Sequence, residues 1–103
     1  MRVKNVYGSS KVSDHPPKDY SSWLHYWMMN SQLTLLWTET YRCPACGRTV
    51  PFENVDGCHV QKADDLCDKH WYIVPLCDSC NQRKDIFDIG SIPMVPSPCN
   101  LDR

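Results

Sequence analysis

A small α+β fold is what this 103-residue chain predicts, and three observations predict it. Large apolar side chains recur at helical spacing between residues 19 and 30. Short runs rich in β-branched and aromatic residues follow, separated by turn residues. Two Cys-x-x-Cys pairs, Cys43-Pro44-Ala45-Cys46 and Cys77-Asp78-Ser79-Cys80, bracket most of those runs. Four thiolates in two close pairs can complete a tetrahedral metal shell with no open position.

Length predicts a single domain over 1–103, too short for two independent cores and in the size range where metal ions or disulfides commonly assist folding. Seven cysteines is an odd number, and Arg2, Lys4 and Asn5 interrupt any apolar leader. Reduced thiols that bind metal are therefore expected, rather than a secreted disulfide framework. Leu33 to Trp37 is broken by Thr34 and followed by Thr38 and Glu39, so no run suits a bilayer. The expectation is a soluble, cytoplasmic chain with no membrane partner. Eleven Lys and Arg balance twelve Asp and Glu. That balance excludes the overall positive field of a strong nonspecific DNA binder, and any nucleic-acid contact must be local.

Residues 1–17 read as an extended lead-in, because Gly8, paired serines and His15-Pro16-Pro17 oppose helix. Residues 18–40 read as a helix and a strand. Asp19 or Ser21 would cap an amphipathic helix ending near Asn30, with Trp23, Leu24, Trp27 and Met28 on its buried face. Leu33, Leu35 and Trp37 then alternate with Thr34, Leu36 and Thr38 in a strand entering the first knuckle.

Residues 41–90 read as the metal-binding unit. Thr49–Phe52 and Cys58–Gln61 would pair as a hairpin, and the charged stretch Lys62–Lys69 would be a loop. Trp71 to Leu76 would form an apolar strand with Pro75 at its end. A helix would begin in the second knuckle and run through Asn81, Gln82, Arg83 and Lys84 toward Phe87, ending before Gly90. Residues 91–103, with three prolines, read as an extended tail.

One structural zinc is expected on Cys43, Cys46, Cys77 and Cys80. The 30 residues between the pairs exceed a short zinc-ribbon gap. They suit a treble-clef (ββα) unit, in which a knuckle and a hairpin precede a helix carrying the second pair. Cys58, His59, Cys67 and His70 could form a second site, although adjacent residues on a strand face opposite ways and chelate one ion poorly. Cys99 has no partner of its own.

Cys43-x-x-Cys46, Gly57-Cys58-His59-Val60 and the run from Tyr72 through Pro75-Leu76-Cys77-x-x-Cys80-Asn81 to Lys84 together resemble the zinc-braced HNH, or His-Me finger, nuclease-like domain. The resemblance covers 43 residues, Arg42 to Lys84. It implies that His59 is a general base activating the water that attacks a scissile phosphate. It also implies a second divalent metal that stabilises the leaving oxygen, with Asn81 helping to hold that ion. The chain departs from the family pattern at three places. Cys58 stands where an acidic or histidine ligand is typical, Tyr72 where an asparagine orients the base, and Asn81 where a histidine follows the second knuckle.

Three functions stay open at the level of sequence. The first is a nucleic-acid-binding module or degenerate nuclease relative, with Gln82, Arg83 and Lys84 offering donors to phosphates or base edges of DNA or RNA. The second is a metal-dependent HNH endonuclease. The third is a zinc module for a protein partner, suggested by Trp23, Tyr26, Trp27, Trp37 and Trp71 in so short a chain.

Overall fold

Val3, Val60, Ile73, Val74 and Leu76 lose all contact with water, and the sheet that carries them organises the chain. A computed structural model describes residues 1–6, 18–31, 40–65 and 67–98. In chain order the elements are β1 (Arg2–Asn5), α1 (Trp23–Ser31), β2 (Thr40–Arg42), β3 (Thr49–Pro51), β4 (Val55–Lys62), β5 (Tyr72–Cys77), α2 (Asp78–Asn81), β6 (Phe87–Asp88) and β7 (Val95–Pro96). Five strands form one sheet in the order β6-β1-β4-β5-β7, every neighbouring pair antiparallel. β2 and β3 form a separate hairpin. The result is an α+β fold, mostly sheet, with two α-helices and one 3-10 turn, Phe52–Asn54, among the described residues.

The first helix has a local cause. The Ser22 hydroxyl accepts the His25 backbone N–H at 3.0 Å, which makes Ser22 the cap, in place of the expected Asp19 or Ser21. Trp23, Leu24, Trp27 and Met28 are buried on one face, and that face lies against β4 and β5. The approach is close. A Cβ on Gly57 would come within 2.4 Å of backbone atoms of Trp23 and Leu24, so only glycine lets the helix seat there. The Trp27 indole N–H bonds the Pro93 carbonyl at 2.9 Å and ties the helix to the C-terminal segment.

Several expected pairings differ. Thr49–Pro51 pairs with Thr40–Arg42, not with Cys58–Gln61, because the knuckle between β2 and β3 is itself a tight turn. The Cys43 N–H bonds the Arg48 carbonyl and the Gly47 N–H bonds the Cys43 carbonyl, each at 2.8 Å. Gly47 supplies the positive φ, 75°, that this turn needs. β4 is then free to pair with β5 over six positions, Val55↔Cys77 to Val60↔Tyr72.

Pro75 lies inside β5, not at its end. Its carbonyl accepts the Tyr41 hydroxyl at 3.0 Å, on the side away from β4. The missing N–H falls on that same side, beyond the two residues that β7 pairs.

The two ends of the chain also belong to the sheet. Arg2–Asn5 is an inner strand between β4 and β6, where the sequence suggested only an extended lead-in. Val95 pairs with Ile73 and Ser97 is buried, so 91–98 closes one edge of the sheet instead of trailing as a tail. The expected strand over Leu33–Trp37, Cys99 and the rest of the tail lie outside the described residues.

Candidate metal centre

Two turns deliver four sulfurs to one point. The β2–β3 knuckle carries Cys43 and Cys46, while Cys77 ends β5 and Cys80 lies in α2. Their Sγ atoms all lie within 4.8 Å of one another, with Cys46 and Cys77 at 3.8 Å. A tetrahedron with metal–sulfur bonds of about 2.3 Å has edges of about 3.8 Å. The Cys46–Cys77 separation equals one such edge, and no other exceeds it by more than about an ångström. Cys43, Cys77 and Cys80 are buried and Cys46 reaches the surface.

The protein prepares these sulfurs for ionisation unequally. At Cys43 burial raises the thiol, but the backbone N–H groups of Cys77, Cys46 and Ala45 outweigh it and bring the group down to about 7. The Cys77 N–H reaches the Cys43 sulfur at 3.5 Å. Burial pushes Cys77 and Cys80 up. Four such thiols cannot all ionise unaided, whereas a bound cation neutralises them. A soft, all-sulfur donor set excludes hard cations such as magnesium.

Asn5 completes the support. Its side-chain amide donates to the carbonyls of Cys80, at 3.0 Å, and Arg83, at 2.9 Å. The Arg83 N–H takes the Cys80 carbonyl as well. The carbonyl that would accept the next helical bond is thus occupied, and α2 ends at Asn81 rather than continuing toward Phe87. Asn5 carries no sequence signal for this role, since its partners lie 75 and 78 positions away.

His59 lies on the opposite face of β4. Its ring packs edge-on against Trp23 at 4.6 Å and Trp71 at 5.6 Å between centroids. Nε2 lies 3.1 Å from the Ser97 hydroxyl. Only 7% of the residue is exposed, and burial lowers its pKa to about 4. Cys58 is buried facing the knuckles, where burial, Asp56 and the nearby Cys43 and Cys77 raise its thiol. Neighbours in sequence, Cys58 and His59 thus serve different faces. Cys67 and His70 are exposed, and the four knuckle cysteines are the only His, Cys or carboxylate group among the described residues close enough to hold a metal.

Asn81 is exposed and stands beside Asp56. Burial raises that carboxyl, the Asn81 amide opposes the rise, and Asp78 reinforces it. Gln82, Arg83 and Lys84 follow α2 in a turn, not on a helix. Gln82 and Lys84 are exposed. Arg83 is engaged: its guanidinium bonds both oxygens of Asp85, at 2.9 and 2.5 Å, and lies over the Phe87 ring at 4.8 Å.

No family model, curated protein or solved structure matches the chain. The metal centre therefore stands on its own geometry, and the HNH resemblance rests on the motif residues alone. No described helix is long and apolar enough to cross a membrane.

Proposed function

We propose that the chain is a zinc-stabilised treble-clef module of HNH type that binds nucleic acid without cutting it. The observation that carries this reading is a contrast between two faces of one strand. On the knuckle side, four sulfurs cluster within 4.8 Å of one another, close enough to share one ion. On the other, the histidine at the position of the base is sealed between two tryptophans. Zinc on four thiolates has no open coordination site, so it braces the fold and does no chemistry. A general base must reach a water beside the substrate and titrate near working pH. His59 does neither, being buried and held neutral with its Nε2 against Ser97. The order of knuckle, β4–β5 hairpin and α2 supports the treble-clef reading.

Binding is read from local chemistry. Gln82 and Lys84 lie exposed beside the second knuckle, offering amide and cationic donors to phosphates or base edges. A nuclease is the second reading. Asp56 and Asn81, side by side, favour it by offering two hard oxygen donors to a divalent ion.

Incubating the purified protein with plasmid and RNA in magnesium, manganese or nickel, beside a His59→Gln variant, separates the two. Binding that weakens with salt and no cleavage are expected. Cleavage by the native chain that the variant loses would establish the nuclease instead.

A further inference from the structure

A concavity of about 220 Å³ opens at the far end of the β4–β5 hairpin from the metal centre, lined by Lys4, Gln61, Lys62, Asp65, Asp68 and Lys69. Three chain segments meet there. Lys4 comes from β1 and pairs in register with Gln61 of β4, and the Gln61 amide donates to the Lys69 carbonyl of the connecting loop at 3.1 Å. The wall is built in advance of any ligand. Asp68 accepts the Tyr72 hydroxyl at 2.5 Å, the Lys62 ammonium at 2.9 Å, and the His70 backbone N–H at 3.0 Å, with the His70 ring nitrogen also at 3.0 Å.

Three lysines against two aspartates leave the lining net positive by one, and because Lys62 pairs with Asp68 that excess is carried by Lys4 and Lys69 against Asp65. Both Asp68 oxygens are occupied by internal donors, and one Asp65 oxygen takes the Cys67 N–H at 3.1 Å. Lys4 and Lys69 form no ion pair with any described residue. Both line the concavity beside Lys62, and its volume is ample for a phosphate group. A divalent cation would meet one carboxylate, Asp68, with donors on both oxygens and a second, Asp65, with one oxygen already engaged.

We infer that this concavity is a phosphate-binding site and that it is the main contact of the chain with a nucleic-acid backbone. The inference rests on the nucleic-acid reading above and moves the principal contact from Gln82, Arg83 and Lys84 to the hairpin tip. Phosphate contacts hold a backbone without reading its sequence, so one anchor of this kind suits a chain with no overall positive field.

The test measures binding of a fluorescent DNA duplex, its single strand and the matching RNA across a salt series. The native protein is compared with a K4E/K69E variant and with a Q82A/K84E variant. Lys62 is left intact because it supports Asp68. Retained metal content and far-UV circular dichroism certify each variant as folded. The K4E/K69E change is expected to weaken binding roughly tenfold or more and to lower the slope of log K against log salt by about one per lysine, while Q82A/K84E has the smaller effect. Native binding left unchanged by K4E/K69E would overturn this site and leave the nucleic-acid reading intact. No native binding at low salt would overturn that reading. Inorganic phosphate and a mononucleotide, followed by amide shifts at Lys4, Gln61, Lys62 and Lys69, then decide the site alone. Shifts there, absent from K4E/K69E, would support a free-phosphate site, and no shifts would remove it.

Discussion

Burial keeps the His59 imidazole neutral down to about pH 4, against about 6.5 in an unfolded chain. Between those values the unfolded state binds the extra proton. The stabilising contribution of the neutral ring is therefore complete above about pH 6.5 and is lost as pH falls toward 4. It amounts to about 3 kcal/mol, a large share of a small domain's stability. Carbon shifts of the His59 ring, followed by NMR from pH 7 down to 5, are expected to show no titration. A midpoint above 6 would put the ring in water and contradict the sealed site. The readout belongs to the ring itself, so thiol protonation over the same range does not confuse it. The Tyr41 hydroxyl is another committed group, bonded to Pro75 and raised by burial and the neighbouring thiols.

At the scale of elements, the seating of α1 on β4 depends on an absent side chain. Gly57→Ala would drive a methyl into the backbone of Trp23 and Leu24. Backbone cannot swing aside as a side chain can, so the helix must lift. Equilibrium urea unfolding should show a loss of about 3 kcal/mol or more, at the upper end of overpacking costs. An unchanged midpoint would mean that the helix does not rest there.

The helix and the knuckles were legible because their signals are local. Trp23, Leu24, Trp27 and Met28 repeat at helical spacing, and the cysteines lie three apart. Arg2-Val3-Lys4-Asn5 carries one aliphatic residue, and its place comes from pairing Val3 with Lys62 and Asn5 with Val60. Nothing nearby in the chain encodes that register. The hairpin partners are illegible for a related reason: Thr49–Pro51 and Cys58–Gln61 both suit strands, and only the Cys43–Arg48 turn decides which partner each takes. Strand alternation did separate Cys58 from His59, but Trp23, Trp71 and Ser97 meet around the ring from three distant parts of the chain.

For the whole molecule, magnitudes make the metal decisive. A domain of this size is stable by roughly 5–15 kcal/mol, whereas a four-ligand structural zinc supplies an apparent binding free energy of about 10–16 kcal/mol. The knuckles join the β2–β3 hairpin to β5 and α2, and Asn5 carries that junction into the large sheet. Zinc removal is therefore expected to loosen both sheets together. The central claim, one zinc on Cys43, Cys46, Cys77 and Cys80 bracing the fold, is tested most directly by native mass spectrometry of the purified chain. The account predicts one zinc per chain, lost together with the folded charge-state envelope when a chelator is added. A folded chain carrying no metal, or one carrying two zincs, would contradict it.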